Sequence, residues 1–206
     1  ISSPTIPTTT SAVDLTSGGC EQIFDNPSGA TAAVTQGSEL DLTGTYTRPP
    51  NGTYTHGYAM MDNTFGIKAS IKIDGSMDGV SSGSGVFCGT VAGSGNHTKA
   101  SGSHTNNSVC SATAVTAGKF TETLTHFGGS GDAWTRTATA NNINGTTAAV
   151  QGILVDSNGH LASLEGEVDK LEGLVTFANS ITVTADTTSL TMSFNLGEGM
   201  SLNSGG

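Results

Sequence analysis

Positive charge is scarce in this chain. Seven of its 206 residues are Lys or Arg, against 17 Asp or Glu, giving a net charge of −10. The basic residues are scattered as Arg48, Lys68, Lys72, Lys99, Lys119, Arg136 and Lys170. No basic cluster exists to neutralise a row of phosphates, which argues against nucleic-acid binding and against attraction to an anionic membrane. Long apolar runs are lacking too, and none approaches the ~20 residues of a membrane-spanning helix. Aromatic residues make up 5% of the chain, with one Trp, too few for a rich sugar-stacking platform. Charged residues of both signs reach 12%, about half the ~25% of ordinary soluble domains. Long solvated helices draw on Lys, Glu and Arg, so a helical bundle is not expected.

Glycine is abundant, at 29 residues, beside many Ser, Thr and Asn. Thr, Val and Ile broken by turn residues suit a mostly β protein. "TFGIKASIKID" (64–74) alternates most clearly. Phe65, Ile67, Ala69, Ile71 and Ile73 fall on one side, Lys68, Ser70 and Lys72 on the other. That is the pattern of a half-buried antiparallel strand. "ELDLTGTYT", "GVFCGTVA", "KFTETLTHF" and "AWTRTAT" are strand-like as well. The word GTYT occurs at 44–47 and again at 52–55, around Arg48-Pro49-Pro50-Asn51, and predicts two strands joined by a Pro-Pro loop. Asn158-Gly159 marks a tight turn. "SITVTA" and "SLTMSFNL" predict a C-terminal hairpin. Leu161, Leu164, Val168, Leu171 and Val175 recur at helical spacing, which predicts one short helix over 161–175, although Gly166 and Gly173 each weaken it by ~1 kcal/mol.

These elements predict an all-β fold, a β-sandwich that is jelly-roll-like or immunoglobulin-like. Residues 1–19 stand apart as an extended N-terminal arm, because Pro4 and Pro7 forbid a helix. Val13 and Leu15 are the arm's candidate donor-strand residues. Residues 20–206 read as a single β-rich domain. The chain opens on Ile1 rather than Met, and the expectation is a processed protein, secreted or held at the cell surface.

The three cysteines are Cys20, Cys88 and Cys110. Cys88 and Cys110 flank a Gly/Ser-rich segment, and a bridge there would restrict the unfolded chain by ~3 kcal/mol. Pairing of Cys20 with either, or three buried thiols, are the alternatives. Four N-x-S/T sequons place candidate glycans on Asn51, Asn96, Asn106 and Asn144, all in expected loops.

Motifs for chemistry are incomplete. Gly79-Val80-Ser81-Ser82-Gly83 matches G-x-S-x-G, but β-like sequence follows where the nucleophile elbow needs a helix. Asp74, Ser76 and Asp78 resemble the first half of a calcium loop, yet Gly85 stands where the closing Glu belongs. They are weak calcium candidates, and no other cofactor is implied. His56, His97, His104, His126 and His160 match no zinc spacing and read as solvated loop residues. An enzyme is not expected.

The extended arm, Cys20 just after it, the weakly charged β core and the alternating C-terminal strand together resemble pilins assembled by donor-strand exchange. In that family each subunit has an immunoglobulin-like fold with a gap, filled by a neighbour's N-terminal extension. The resemblance implies a structural subunit of an extracellular filament or pilus, whose partners are copies of itself in a helical homopolymer. The arm departs from the family in carrying two prolines and few bulky apolar residues. The alternative is a carbohydrate-binding adhesin module or viral fibre domain, using Trp134, Tyr54 or Tyr58.

Overall fold

A computed structural model describes residues 4–16, 19–29, 40–97, 108–128, 134–143 and 146–189. The fold is all-β, built from several largely antiparallel sheets, and no α-helix occurs among the described residues. The largest sheet has four strands: β3 (Gly52–Asp62), β10 (Thr135–Ile143), β11 (Thr146–Val155) and β12 (Lys170–Val183). Their order is β10-β11-β12-β3. A second sheet joins β4 (Thr64–Ile67), β9 (Phe120–Leu124) and β7 (Gly93–His97), with β7 parallel to β9. A third joins β5 (Ser70–Asp78), β6 (Ser84–Thr90) and β8 (Ser108–Ser111). β1 (Phe24–Asp25) and β2 (Thr45–Tyr46) form a two-stranded ribbon.

The two GTYT words are both strands, but they enter different sheets. The first lies in β2 against β1, and the second opens β3 against β12. A shared device explains the repeated spelling. Tyr54 donates its hydroxyl to the Pro50 carbonyl at 2.9 Å, and Tyr46 donates to the Leu42 carbonyl, so each phenol ties down the backbone four residues upstream. Gly44, in the first word, leaves room for the neighbouring strand. A Cβ on Gly44 would stand 2.5 Å from the Phe24 ring. The Pro-Pro loop between the words is fixed by Arg48, which donates to the Thr184 carbonyl at 2.6 Å and to Asn51 Oδ1 at 2.8 Å.

The sequence 64–74 is not one strand. It breaks at Lys68-Ala69 into β4 and β5, which serve different sheets. Alternation holds for Phe65, Ile67 and Ala69, but Ile71 is exposed.

The helix expected over 161–175 is corrected. A 3₁₀ turn spans Glu165–Glu167, and β12 begins at Lys170. β12 is covered on both faces, so Glu172 and Leu174 are buried on one while Leu171 packs into the core on the other. Two-sided burial hides period-two alternation, and the leucines of turn and strand then mimic a helical stripe. Gly166 and Gly173 add the entropic penalty that makes a helix the poorer choice. Of the expected C-terminal hairpin, Ile181 and Val183 belong to β12, Thr184–Thr187 forms a turn, and Leu190–Leu196 lies outside the described residues.

The apolar core centres on Trp134, Leu154 and Ala162, with Leu124, Phe127, Leu161, Val168 and Leu171 packed around them. It joins the large sheet to β9 and the segment that follows it. Elsewhere, β6 and β8 place Cys88 directly opposite Cys110. The two are joined as a disulfide, with Cα atoms 4.1 Å apart, and Cys20 is free and exposed. Replacing Cys88 and Cys110 together by Ala should lower stability by ~3 kcal/mol, from the loop entropy returned to the unfolded chain. Urea midpoints measure this. Non-reducing peptide mapping should recover the Cys88–Cys110 pair, and a peptide linked through Cys20 would contradict the assignment.

A candidate functional site around buried Glu172

β12 carries Glu172 in the middle of the large sheet. Its cross-strand neighbours are Met60 on β3 and Ile153 on β11. Glu172 has no exposed surface, and neither carboxyl oxygen has a hydrogen-bond partner. Tyr58, two pairs further along β3, brings its hydroxyl towards the carboxyl, but without a hydrogen bond of ordinary geometry, and that oxygen is buried too. Burial pushes the Glu172 carboxyl above its ordinary value, and the phenol offsets this only in part. Tyr58 is raised in turn, by burial first and then by the carboxyl. Burial of a carboxyl without a hydrogen bond of ordinary geometry favours its protonated form over the ionised one.

The N-terminal segment lies beside this site. That segment folds back on itself through bridges Thr5↔Asp14 and Thr8↔Ser11, so it is a short hairpin in place of the single extended arm expected from Pro4 and Pro7. Both prolines are buried. The hairpin docks on the turn that follows β11. The Leu161 amide donates to the Thr8 carbonyl at 2.9 Å, and Ala12 bridges His160. Gly159 lies between hairpin and carboxyl. A Cβ there would stand 3.3 Å from Ala12 Cβ and 4.0 Å from Glu172 Oε1. Gly159 also holds φ at 76°, a left-handed value that glycine adopts without strain.

Asp156 shapes the turn. Its carboxylate accepts from the His160 amide at 2.9 Å and the Asn158 amide at 2.8 Å. The His160 amide is the main reason its carboxyl is held below the usual range. His160 Nδ1 sits 3.8 Å from Asp156 Oδ2. At the end of the row, Lys170 pairs with Asp62 at 2.7 Å, and that contact is the main cause of its raised pKa.

The residues singled out from sequence are dispersed. Val13 and Leu15 are half-buried in the returning limb of the hairpin and just beyond it. Asp74, Ser76 and Asp78 lie along β5, all exposed. In a strand such residues are spaced ~6–7 Å apart in a row, whereas a calcium loop curls them around a point. Among the described residues no group of His, Cys, Asp and Glu converges on a metal-sized site. Ser81 precedes a strand, β6, and its amide donates to the Ser108 carbonyl. Asn51 is exposed beside Arg48. Asn96 falls within β7, which corrects the expectation of a loop there, and Asn106 and Asn144 lie outside the described residues.

Trp134 is buried in the core, its ring edge-on to His126 at 5.6 Å. His126 is itself fully buried and accepts from the Gly128 amide at 2.9 Å, which corrects its reading as a solvated loop histidine. Trp134, Tyr54 and Tyr58 are not gathered on one surface. Glu172 went unnoticed in the sequence because an acid in "KLEGLV" reads as a solvent-facing residue. Its one signal is position, in the third place of a strand covered on both faces. Comparisons with family models, curated proteins and solved structures find no match to this chain.

Glu172→Gln keeps the shape and removes the ionisable group. It should stabilise the fold at neutral pH by up to about 1.4 kcal/mol for each pH unit by which burial raises the carboxyl. The raised pKa means that the wild-type contribution is full at acidic pH and lost as pH rises through the folded value. The gap between variant and wild type should therefore close near pH 4, as read from urea midpoints. A pH-independent gap would contradict the burial of the carboxyl.

Proposed function

We propose that this chain is a structural subunit of an extracellular filament, assembled by exchange of the N-terminal segment between copies. The observation that carries the reading is the way that segment is attached. It is a separate β hairpin, and its backbone is tied to the turn after β11 through Thr8–Leu161 and Ala12–His160. Each such hydrogen bond nets only ~1 kcal/mol. Gly19, with φ 64°, follows the segment and offers a pivot. Transfer of the same contacts to a neighbour conserves them, which is the logic of domain swapping, and a head-to-tail exchange that does not close propagates into a fibre.

Two further features support assembly. The described residues expose ten large apolar side chains, as many as the apolar residues they bury. Four of them, Ile23, Leu40, Leu42 and Tyr46, belong to or adjoin the β1–β2 ribbon. A two-stranded ribbon is marginal alone in water and gains from a covering neighbour. The low charge suits close packing of copies. Secretion and glycans at Asn51, Asn96, Asn106 or Asn144 complete the reading, and Asn51 is the one placed on an exposed loop.

Deletion of residues 1–17 should abolish fibres while leaving the body folded, as seen by negative-stain microscopy beside circular dichroism. Normal fibres from the truncated chain would overturn strand exchange. Intact mass of native material should exceed the bare 20.6 kDa by at least one glycan, and a bare mass would remove the sugar from the account.

A further inference from the structure

We propose that Glu172 is a pH-sensitive latch for the N-terminal hairpin, holding it down when protonated and releasing it when ionised. The inference gives a control to the assembly reading above and depends on that reading only for its purpose. Geometry carries it. The carboxyl is fully buried, neither oxygen has a hydrogen bond of ordinary geometry, and a Cβ built on Gly159 would fall 3.3 Å from Ala12 Cβ of the hairpin and 4.0 Å from Glu172 Oε1, which places the hairpin one residue's thickness from the carboxyl. A carboxylate formed there has two remedies. The sheet can open, at the expense of the β11–β12 and β12–β3 ladders, or the peripheral hairpin can lift and admit water. The hairpin is tied at fewer points and gives way first.

The sign follows from linkage. Docked, the carboxyl sits above its ordinary value of 4.5; undocked, it meets water and returns towards that value. Docking is thus strongest below the ordinary value. It weakens by up to about tenfold per pH unit until the buried group has ionised, and is constant beyond. The other titratable and charged groups around the site are Tyr58 on β3, Asp156 and His160 on the turn, Asp14 on the hairpin, and the Lys170–Asp62 pair at the end of the row. Of these, His160 is bridged directly to Ala12 of the hairpin, so the test must separate it from Glu172.

Hydrogen exchange of the full-length wild-type chain provides that test, with Glu172→Gln and His160→Gln alongside. The Leu161 amide, bonded to Thr8, reports docking, and the Ala162 amide, bonded to Leu154, reports the body of the sheet. At each pH the rate in wild type is divided by the rate in Glu172→Gln, which cancels intrinsic exchange. For Leu161 the ratio should be near one at pH 4, climb by up to about tenfold per unit, then level off. For Ala162 it should stay near one, and His160→Gln should retain the climb. A flat Leu161 ratio overturns the latch, as does a climb shared equally by Ala162. Loss of the climb in His160→Gln assigns the control to His160 and also overturns it. Should Glu172→Gln not fold, carbon NMR titration of the wild-type carboxyl decides, and titration at the value of a solvated Glu refutes the latch. Fibre formation is scored separately: a working latch without fibres removes the assembly reading alone, and fibres without a pH-dependent hairpin remove the latch alone.

Discussion

The pairing of β12 on both of its edges is the interaction on which the structure depends. Of its fourteen residues, 170–177 pair with β11 on one side, and 170–176 and 181–183 pair with β3 on the other. The core is modest, centred on Trp134, Leu154 and Ala162, and the chain has few charges to form ion-pair networks. Main-chain ladders must therefore hold much of the fold, and the strand that carries two ladders holds most of it. β12 is also where the second GTYT word, the Arg48 anchor and the buried acid meet. Arg48 reaches the Thr184 carbonyl just beyond its end.

A strand covered on both faces creates the central tension of the molecule. One face packs Leu171 against the core. The other carries Glu172 and Leu174, and the N-terminal hairpin docks at the turn beside it. Burying an acid beside that small, lightly tied hairpin is unfavourable for stability, since Leu or Met would fill the same space without a polar group to satisfy. The assembly reading gives the arrangement a use. A lid that must leave its own subunit benefits from being held weakly, and a buried acid makes its hold depend on pH.

Much of the β architecture was legible in the residues. The strand words around Phe120 and Thr135 and the Asn158-Gly159 turn appear as strands and a turn, and 64–74 is strand on both sides of a break at Lys68-Ala69. The Gly/Ser-rich segment pointed to the cysteine pair that β6 and β8 set face to face. The 161–175 region misled because burial on both faces erases period two and leaves leucines at three- and four-residue intervals. The N-terminal prolines correctly argued against a helix, but they do not distinguish an extended arm from one that doubles back, because that depends on the distant Leu161 amide. The Glu172 site was illegible for the same reason. Its burial follows from its place between β11 and β3, and the hairpin that lies near it is more than 150 residues away in sequence; local pattern encodes neither.

The central claim is that the hairpin contacts made within one chain are remade between chains. Disulfide trapping across the Ala12–His160 bridge tests it most directly. Two chains are prepared, each with Cys20→Ser, one carrying Ala12→Cys and the other His160→Cys, then mixed in equal amounts under assembly conditions and oxidised. Exchange predicts a disulfide-linked dimer of the two different chains, recovered as a single crosslinked peptide pair. Assemblies of normal length without that link would contradict the account.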